Sequence, residues 1–214
     1  MMRLPAPAAA CATAALALVA FAVTACGPLV QIGGNDKAPA SLLALRSTAV
    51  ATGAAAGTTD PHATVTVLVP AVPGLLQTLR LPVTTTDTAV AYLTGAQWAE
   101  QPNREFQRVL ADTIAARGIP VLDPRQSTAA SGRTLSGTLL EFGLDVRDPA
   151  AVVVRVRFDA ALTGTSGKAG SAPFAIRRFD ASAPVVTQNP TDVAIALNVA
   201  ANQVASDVAA WIPR

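Results

Sequence analysis

The chain has 214 residues, a formal net charge of +2, two cysteines and one histidine. So balanced a charge leaves no electrostatic footprint for nucleic acid. One histidine and two cysteines far upstream of it are poor material for a zinc site; no glycine-rich phosphate loop or Walker motif occurs, so any ATP hydrolysis belongs to another subunit.

Met1, Met2 and Arg3 precede an apolar, alanine-rich run from Ala8 to Val23, closed by Val23-Thr24-Ala25-Cys26. A basic start, an apolar middle and small residues read as a secretory signal. The run is too short and too alanine-rich for a good spanning helix, which needs about 20 strongly apolar residues. Its last four residues resemble the lipobox of bacterial lipoproteins, Leu/Val-x-Ala/Gly-Cys. That resemblance implies cleavage between Ala25 and Cys26, with residues 1–25 removed as a lipoprotein signal peptide. It implies diacylglycerol on the Cys26 thiol and an acyl chain such as palmitate on its amino group, with no other cofactor and no metal. Gly27 stands where an aspartate would signal inner-membrane retention, which implies a periplasm-facing anchor in the inner leaflet of the outer membrane. Cys11 then leaves with the signal and Cys26 is spent on lipid. The mature domain is left without a disulfide or a thiolate nucleophile, and its core alone must hold the fold. Several acyl chains, at about 0.8 kcal/mol per buried methylene, make such anchoring effectively permanent.

Residues 26–40 form the lipidated N-terminus and a flexible tether, rich in proline and glycine. Residues 41–214 form one domain. Ser41–Thr48 reads as a first strand and Ala49–Pro61 as a loop. Thr64–Val69 alternates, with Val65, Val67 and Val69 on one face. Leu79–Thr86 is a further strand, and Pro82 places it at a sheet edge. Ala89–Leu93 is short and broken by Gly95. Pro102–Arg117 is a helix with proline at its first position. Phe106, Val109, Leu110, Thr113 and Ile114 form its apolar stripe, and Gly118 and Pro120 stop it. Val121-Leu122 is a short strand and Arg125–Gly132 a polar loop. In Leu135–Val146 the positions Leu140, Phe142, Leu144 and Val146 share a face. In Val152–Leu162 the even positions point inward, while Arg155, Arg157 and Asp159 face out. Gly164–Gly170 is a loop. Phe174–Val186 is a strand whose parity changes near Arg177-Arg178, which suggests a bulge. Asn189 caps a last helix, Pro190–Trp211, with Val193, Leu197, Ala200, Val204, Val208 and Trp211 along one stripe. The order argues an α+β domain: a mostly antiparallel β-sheet with two helices packed on one face.

A second resemblance rests on Tyr92-Leu93-Thr94-Gly95-Ala96-Gln97-Trp98-Ala99-Glu100 followed by the helix of Phe106 and Leu110. It also rests on Leu135-Ser136-Gly137-Thr138-Leu139-Leu140-Glu141-Phe142 and on the closing helix with Asn198, Ala201 and Asn202. With the lipobox, these features resemble the ABC-type transport auxiliary lipoproteins, which include the lipoprotein of the paraquat-inducible system. The resemblance implies a non-enzymatic component whose partners are an MCE-domain protein and ABC transporter subunits that move phospholipids or other hydrophobic molecules. One stretch departs from the family pattern: Pro73-Gly74-Leu75-Leu76-Gln77 is followed by Thr78-Leu79, without the usual second proline.

The candidate contact residues are few. Arg155 and Arg157, with Arg177 and Arg178 on a neighbouring strand, could form a basic strip for acidic loops or headgroups; a solvated face interleaved with Asp159 and Asp180 is the plainer reading. Tyr92 and Trp98 could anchor a partner, although Trp98 suits the core better. Ile195 and Val199, on the back of the last helix, suit a homo-oligomer contact or an ordinary surface equally. His62 borders a loop with no evident catalytic partner. Glu100, Glu105, Asp112, Glu141 and Asp145 are scattered rather than paired for acid–base work. A lipid-binding carrier, with an apolar cavity inside the sheet, and a regulator of cell-wall enzymes are the alternatives to a docking scaffold.

Overall fold

The computed structural model describes residues 42–50, 60–123, 131–164 and 174–213. These fall within one compact unit, Pro39–Arg214. The signal peptide, its cleavage site, Cys26 and the tether lie outside the described residues, as do most of the Ala49–Pro61, Arg125–Gly132 and Gly164–Gly170 loops. The strands are β1 (Leu42–Leu43), β2 (Val65–Val67), β3 (Arg80–Thr84), β4 (Val90–Trp98), β5 (Val121–Leu122), β6 (Arg133–Asp145), β7 (Val153–Gly164) and β8 (Phe174–Pro184). The helices are α1 (Pro102–Ala116) and α2 (Pro190–Trp211).

The sheet is organised on β6. One edge of β6 carries β7 and then β8, both in long antiparallel ladders. The other edge is shared: β2 runs parallel beside Arg133–Leu135, and β3 runs parallel beside Leu144 and Asp145. The chain between them hugs β6, with Leu68 N–H donating to Leu135 C=O and Ala71 N–H to Gly137 C=O. From β2 the sheet continues to β5; from β3 it continues to β4 and β1. It therefore forks, and its long pairings are antiparallel while its parallel pairings are only two or three residues long. This is the α+β architecture expected, with both helices on one face.

The helical stripes form as the sequence periodicity predicts. Phe106, Val109, Leu110, Thr113 and Ile114 are buried on α1. On α2 the predicted valines and leucine are buried, together with Ala196, Ala201, Ala205 and Ala209. Those alanines widen the buried face so that α2 packs on α1 as well as on β7 and β8. By length and composition α2 could cross a membrane, with mean hydropathy 1.3, but that apolar face is spent on the core. Asn189 Oδ1 accepts from Asp192 N–H at 2.9 Å as the N-cap. Gly118, at φ +81°, ends the turn after α1. Ring pairs knit the layers: Trp98 with Phe142 at 5.3 Å and Phe106 with Phe158 at 5.4 Å.

Several expectations need correction. The bulge lies in β6, between Leu139 and Glu141, and the β7–β8 register runs unbroken through Arg177 and Arg178. The extra residue shifts parity, so Leu135 and Leu139 enter the core before Phe142 and Leu144, and Leu140 turns to the other side. Strand β3 is internal despite Pro82. Its register with β4 shifts between Arg80 and Pro82, and it meets β6 only at Val83 and Thr84, so no ladder bond needs the missing proline N–H. Strand β4 continues through Gly95, whose φ of +72° absorbs the same irregularity. Only Leu42-Leu43 of the first segment is strand; the residues after it leave the sheet.

Candidate functional site

Residues 44–48 form an extended strap across the two helices. Leu43 and Leu45 are buried, while Ala44 between them and Arg46 after them are exposed. Leu45 N–H donates to the buried Glu105 carboxylate at 3.2 Å, and Arg108 pairs with that carboxylate at 3.1 Å. Arg46 N–H donates to Asn198 Oδ1 and Thr48 N–H to Asn202 Oδ1, each at 2.8 Å. Asn202 returns a bond from its amide nitrogen to Arg46 C=O at 2.9 Å. The spacing explains the fit: one four-residue helical step rises about 6 Å, and two extended residues span about 6.6 Å. Asn198 and Asn202 thus read alternate residues of the strap. The sequence singles these asparagines out by family resemblance only; their helical spacing hints at a shared task without naming its object.

The helix-free face of the sheet carries Arg155, Arg157 and Arg178, whereas Arg177 turns to the helix side, its guanidinium 5.1 Å from the Phe179 ring. Arg157 pairs with Glu141 across β6 and β7 at 2.6 Å, and Arg178 grips Asp159 through two bonds of 2.7 Å. Asp145 is the hub of a third group: Arg155 reaches it at 2.6 Å and Arg147 at 2.7 Å, and Arg147 also holds Asp87. Arg147, more than Arg155, holds the Asp145 carboxyl well below the usual range, against burial, which pulls the other way. Arg178 likewise lowers that of Asp159. Arg155 and Arg157 do face outward together, but each is already paired, so the face alternates in sign instead of forming a basic strip. Beside them a cleft of about 230 Å³ is floored by Leu75, Pro82, Val90 and Leu140. Gly143 shapes it, since a Cβ there would lie 2.5 Å from Pro82 O.

Tyr92 and Trp98 part company. Trp98 is wholly buried, and its Nε1 has no hydrogen-bond partner among the described residues. It is a core residue. Tyr92 is half-buried, donates to Leu75 C=O at 3.4 Å and lies under the Arg80 guanidinium at 4.5 Å. Ile195 and Val199 are 60% and 58% exposed. With Ala183, Pro184, Val186 and Ala196 they line an apolar groove of about 350 Å³ between α2 and β8. His62 is exposed, its backbone N–H bonded to Asp60. No three histidine, cysteine or acidic side chains stand together to hold a metal among the described residues.

Solved structures share this architecture. Protein XCC0632 from Xanthomonas campestris, of the DUF330 family, matches with a TM-score of 0.61 at 19% identity, over 69% of this chain and 82% of its own. A crystal structure of an uncharacterized protein matches with a TM-score of 0.58 at 16% identity, over 71% and 93%. At such identities the likeness shows the fold alone. No curated protein matches the sequence. The family model described as ABC-type transport auxiliary lipoprotein component matches residues 44–209, from the strap to the last turn of α2. The chain therefore belongs to the ABC-type transport auxiliary lipoprotein family, whose members are accessory components of ABC transport systems.

Proposed function

We propose that this lipoprotein is a docking scaffold for an MCE-type lipid-transport system, held by acyl groups on Cys26 in the inner leaflet of the outer membrane. In this reading the domain contributes surface, not chemistry. The MCE-domain protein is its direct partner, and the ABC transporter subunits lie beyond it. Beside family membership, the observation that carries the reading is the filled interior. Trp98, Phe106, Phe142 and Phe158 are fully buried and packed in pairs, in the space that a carrier would reserve for a lipid. What remains exposed is a charge-alternating sheet face, a cleft of mixed lining beside it, and an apolar groove along one edge. The strap supports the same view: side-chain bonds from both helices tie down the segment that follows the tether.

The test is a crosslinked pull-down of the full chain from its own membranes, identified by mass spectrometry. An MCE-domain protein should be recovered with it, and a Cys26→Ser chain should be mislocalised and lose that partner. Recovery of cell-wall enzymes, or of bound lipid without a protein partner, would overturn the docking role.

A further inference from the structure

Strand β8 ends the sheet with a long open edge. Among the described residues it pairs only with β7. Val185 N–H donates to Val152 C=O, and alternation along an antiparallel ladder turns the odd residues of β8 toward β7. The main-chain groups of Ile176, Arg178, Asp180 and Ser182 therefore face outward, unpaired by the sheet. Pro184 shares that parity and has no N–H to offer, which suits the end of an open edge. Apolar surface flanks its charged centre: Phe174 and Ile176 are 63% and 67% exposed at one end, and the Ile195–Val199 groove runs along its other half. A long open edge invites strand addition, and the exposed charges of Arg178 and Asp180 restrict what can be added.

We propose that β8 pairs with β8 of a second copy of this chain, antiparallel about a two-fold axis at Phe179. Charge selects both the occupant and the register. Centred on Phe179, Arg178 meets Asp180 of the second copy, and the symmetry repeats that pair. Ile176 then meets Ser182, and all four outward N–H groups find acceptors. A slip of one step in either direction sets Arg178 opposite Arg178, or Asp180 opposite Asp180, which is unfavourable. The second step is worse for another reason too, because it sets Ile176 against Pro184. The helices agree with this geometry. Helix α2 packs on both β7 and β8, about one strand spacing from the proposed axis. Two spacings put the paired α2 helices about 10 Å apart, the distance of packed helices. Ile195 and Val199 lie on the flank of α2 that borders the groove beside β8 and would be covered there. This inference does not depend on which transporter is docked.

Disulfide crosslinking of the full chain, purified from its own membranes in detergent, tests it. A chain carrying both Ile176→Cys and Ser182→Cys should give an oxidised dimer, because directly opposed residues of a hydrogen-bonded pair lie about 5.5 Å apart at Cα, within disulfide reach. Each single variant should not, since like positions fall about 20 Å apart along the strands. The unsubstituted chain, whose Cys26 thiol carries lipid in this reading, sets the background. In native mass spectrometry Asp180→Arg, an exposed change, should abolish the dimer. A full chain that is monomeric, a double variant that crosslinks no better than the singles, or an assembly indifferent to Asp180→Arg would overturn the proposal.

Discussion

Asp145 concentrates more ionic interactions than any other carboxylate described on the sheet face. Its side chain is 7% exposed and accepts from two guanidinium groups, which makes its charge expensive to lose. A carboxyl in an unfolded chain titrates near pH 4, whereas Arg147 and then Arg155 hold that of Asp145 lower in the fold. A depressed folded-state pKa contributes stability that is fully present above about pH 4 and is lost as pH falls through the folded value. Asp145→Asn should therefore cost about 1–3 kcal/mol at pH 7, and the gap should close as the pH approaches the folded-state value. Urea unfolding from neutral to acid pH measures it; a gap that stayed constant with pH would assign the loss to packing. Asp159, held down by Arg178, keeps some acid sensitivity in the variant. Gly137 illustrates a steric demand at the same scale. A Cβ there would lie 2.2 Å from Asp159 O and 2.7 Å from the Phe158 ring, so β6 and β7 can meet at this point only without a side chain.

Among the elements, the strap and α2 form a unit that secondary-structure labels divide. Burial of Leu43 and Leu45 contributes about 2 kcal/mol each, and the asparagine bonds set the register of the strap on α2. Because Asn198 holds Arg46 N–H and Asn202 holds Thr48 N–H, the two can be separated. Asn202→Ala should cost about 1–2 kcal/mol and speed amide hydrogen exchange at Thr48 far more than at Arg46; Asn198→Ala should do the reverse. Equal acceleration at both amides in either variant would mean that the strap is held by its leucines, with the asparagines incidental. The bulge in β6 has a comparable organising effect. By changing parity after Leu139 it sends Phe142 to Trp98 inside and leaves Leu140 to floor the outer cleft.

Over the whole molecule, the forked sheet lets one short chain cover two helices and still leave a face and an edge uncovered. Trp98 is buried near the strap, and Trp211 sits in the last turn of α2, 5.6 Å from Phe179. Both belong to one continuous hydrophobic cluster. Unfolding should then be a single cooperative event. Tryptophan fluorescence of the Trp98→Phe and Trp211→Phe variants and far-ultraviolet circular dichroism should each show coincident midpoints within a given protein. Separate midpoints would divide the domain into a strap–β4 part and an α2–β8 part. The uncovered regions are those the two proposals use: the sheet face for a docked protein, and the β8 edge for a second copy.

Much of this was legible in the residues alone. The amphipathic stripes of α1 and α2, the caps at Asn189 and Gly118 and the inward valines of β7 are local patterns, and a period of 3.6 or 2 needs no neighbour to be visible. Trp98 as a core residue followed from its place at a strand-to-helix turn, where an aromatic closes the end of the core. The bulge in β6, the internal position of β3, the pairing of Arg155 and Arg157 with acids, and the task of Asn198 and Asn202 were not legible. Each is decided by a contact between distant parts of the chain: Glu141 with Arg157, Pro82 beside Gly143, Thr48 on Asn202. A sequence determines which side chains are available and which face of an element they occupy. Which strand fills a gap, and which charge stands opposite another, is decided only when the chain closes on itself and every buried polar group must find a partner.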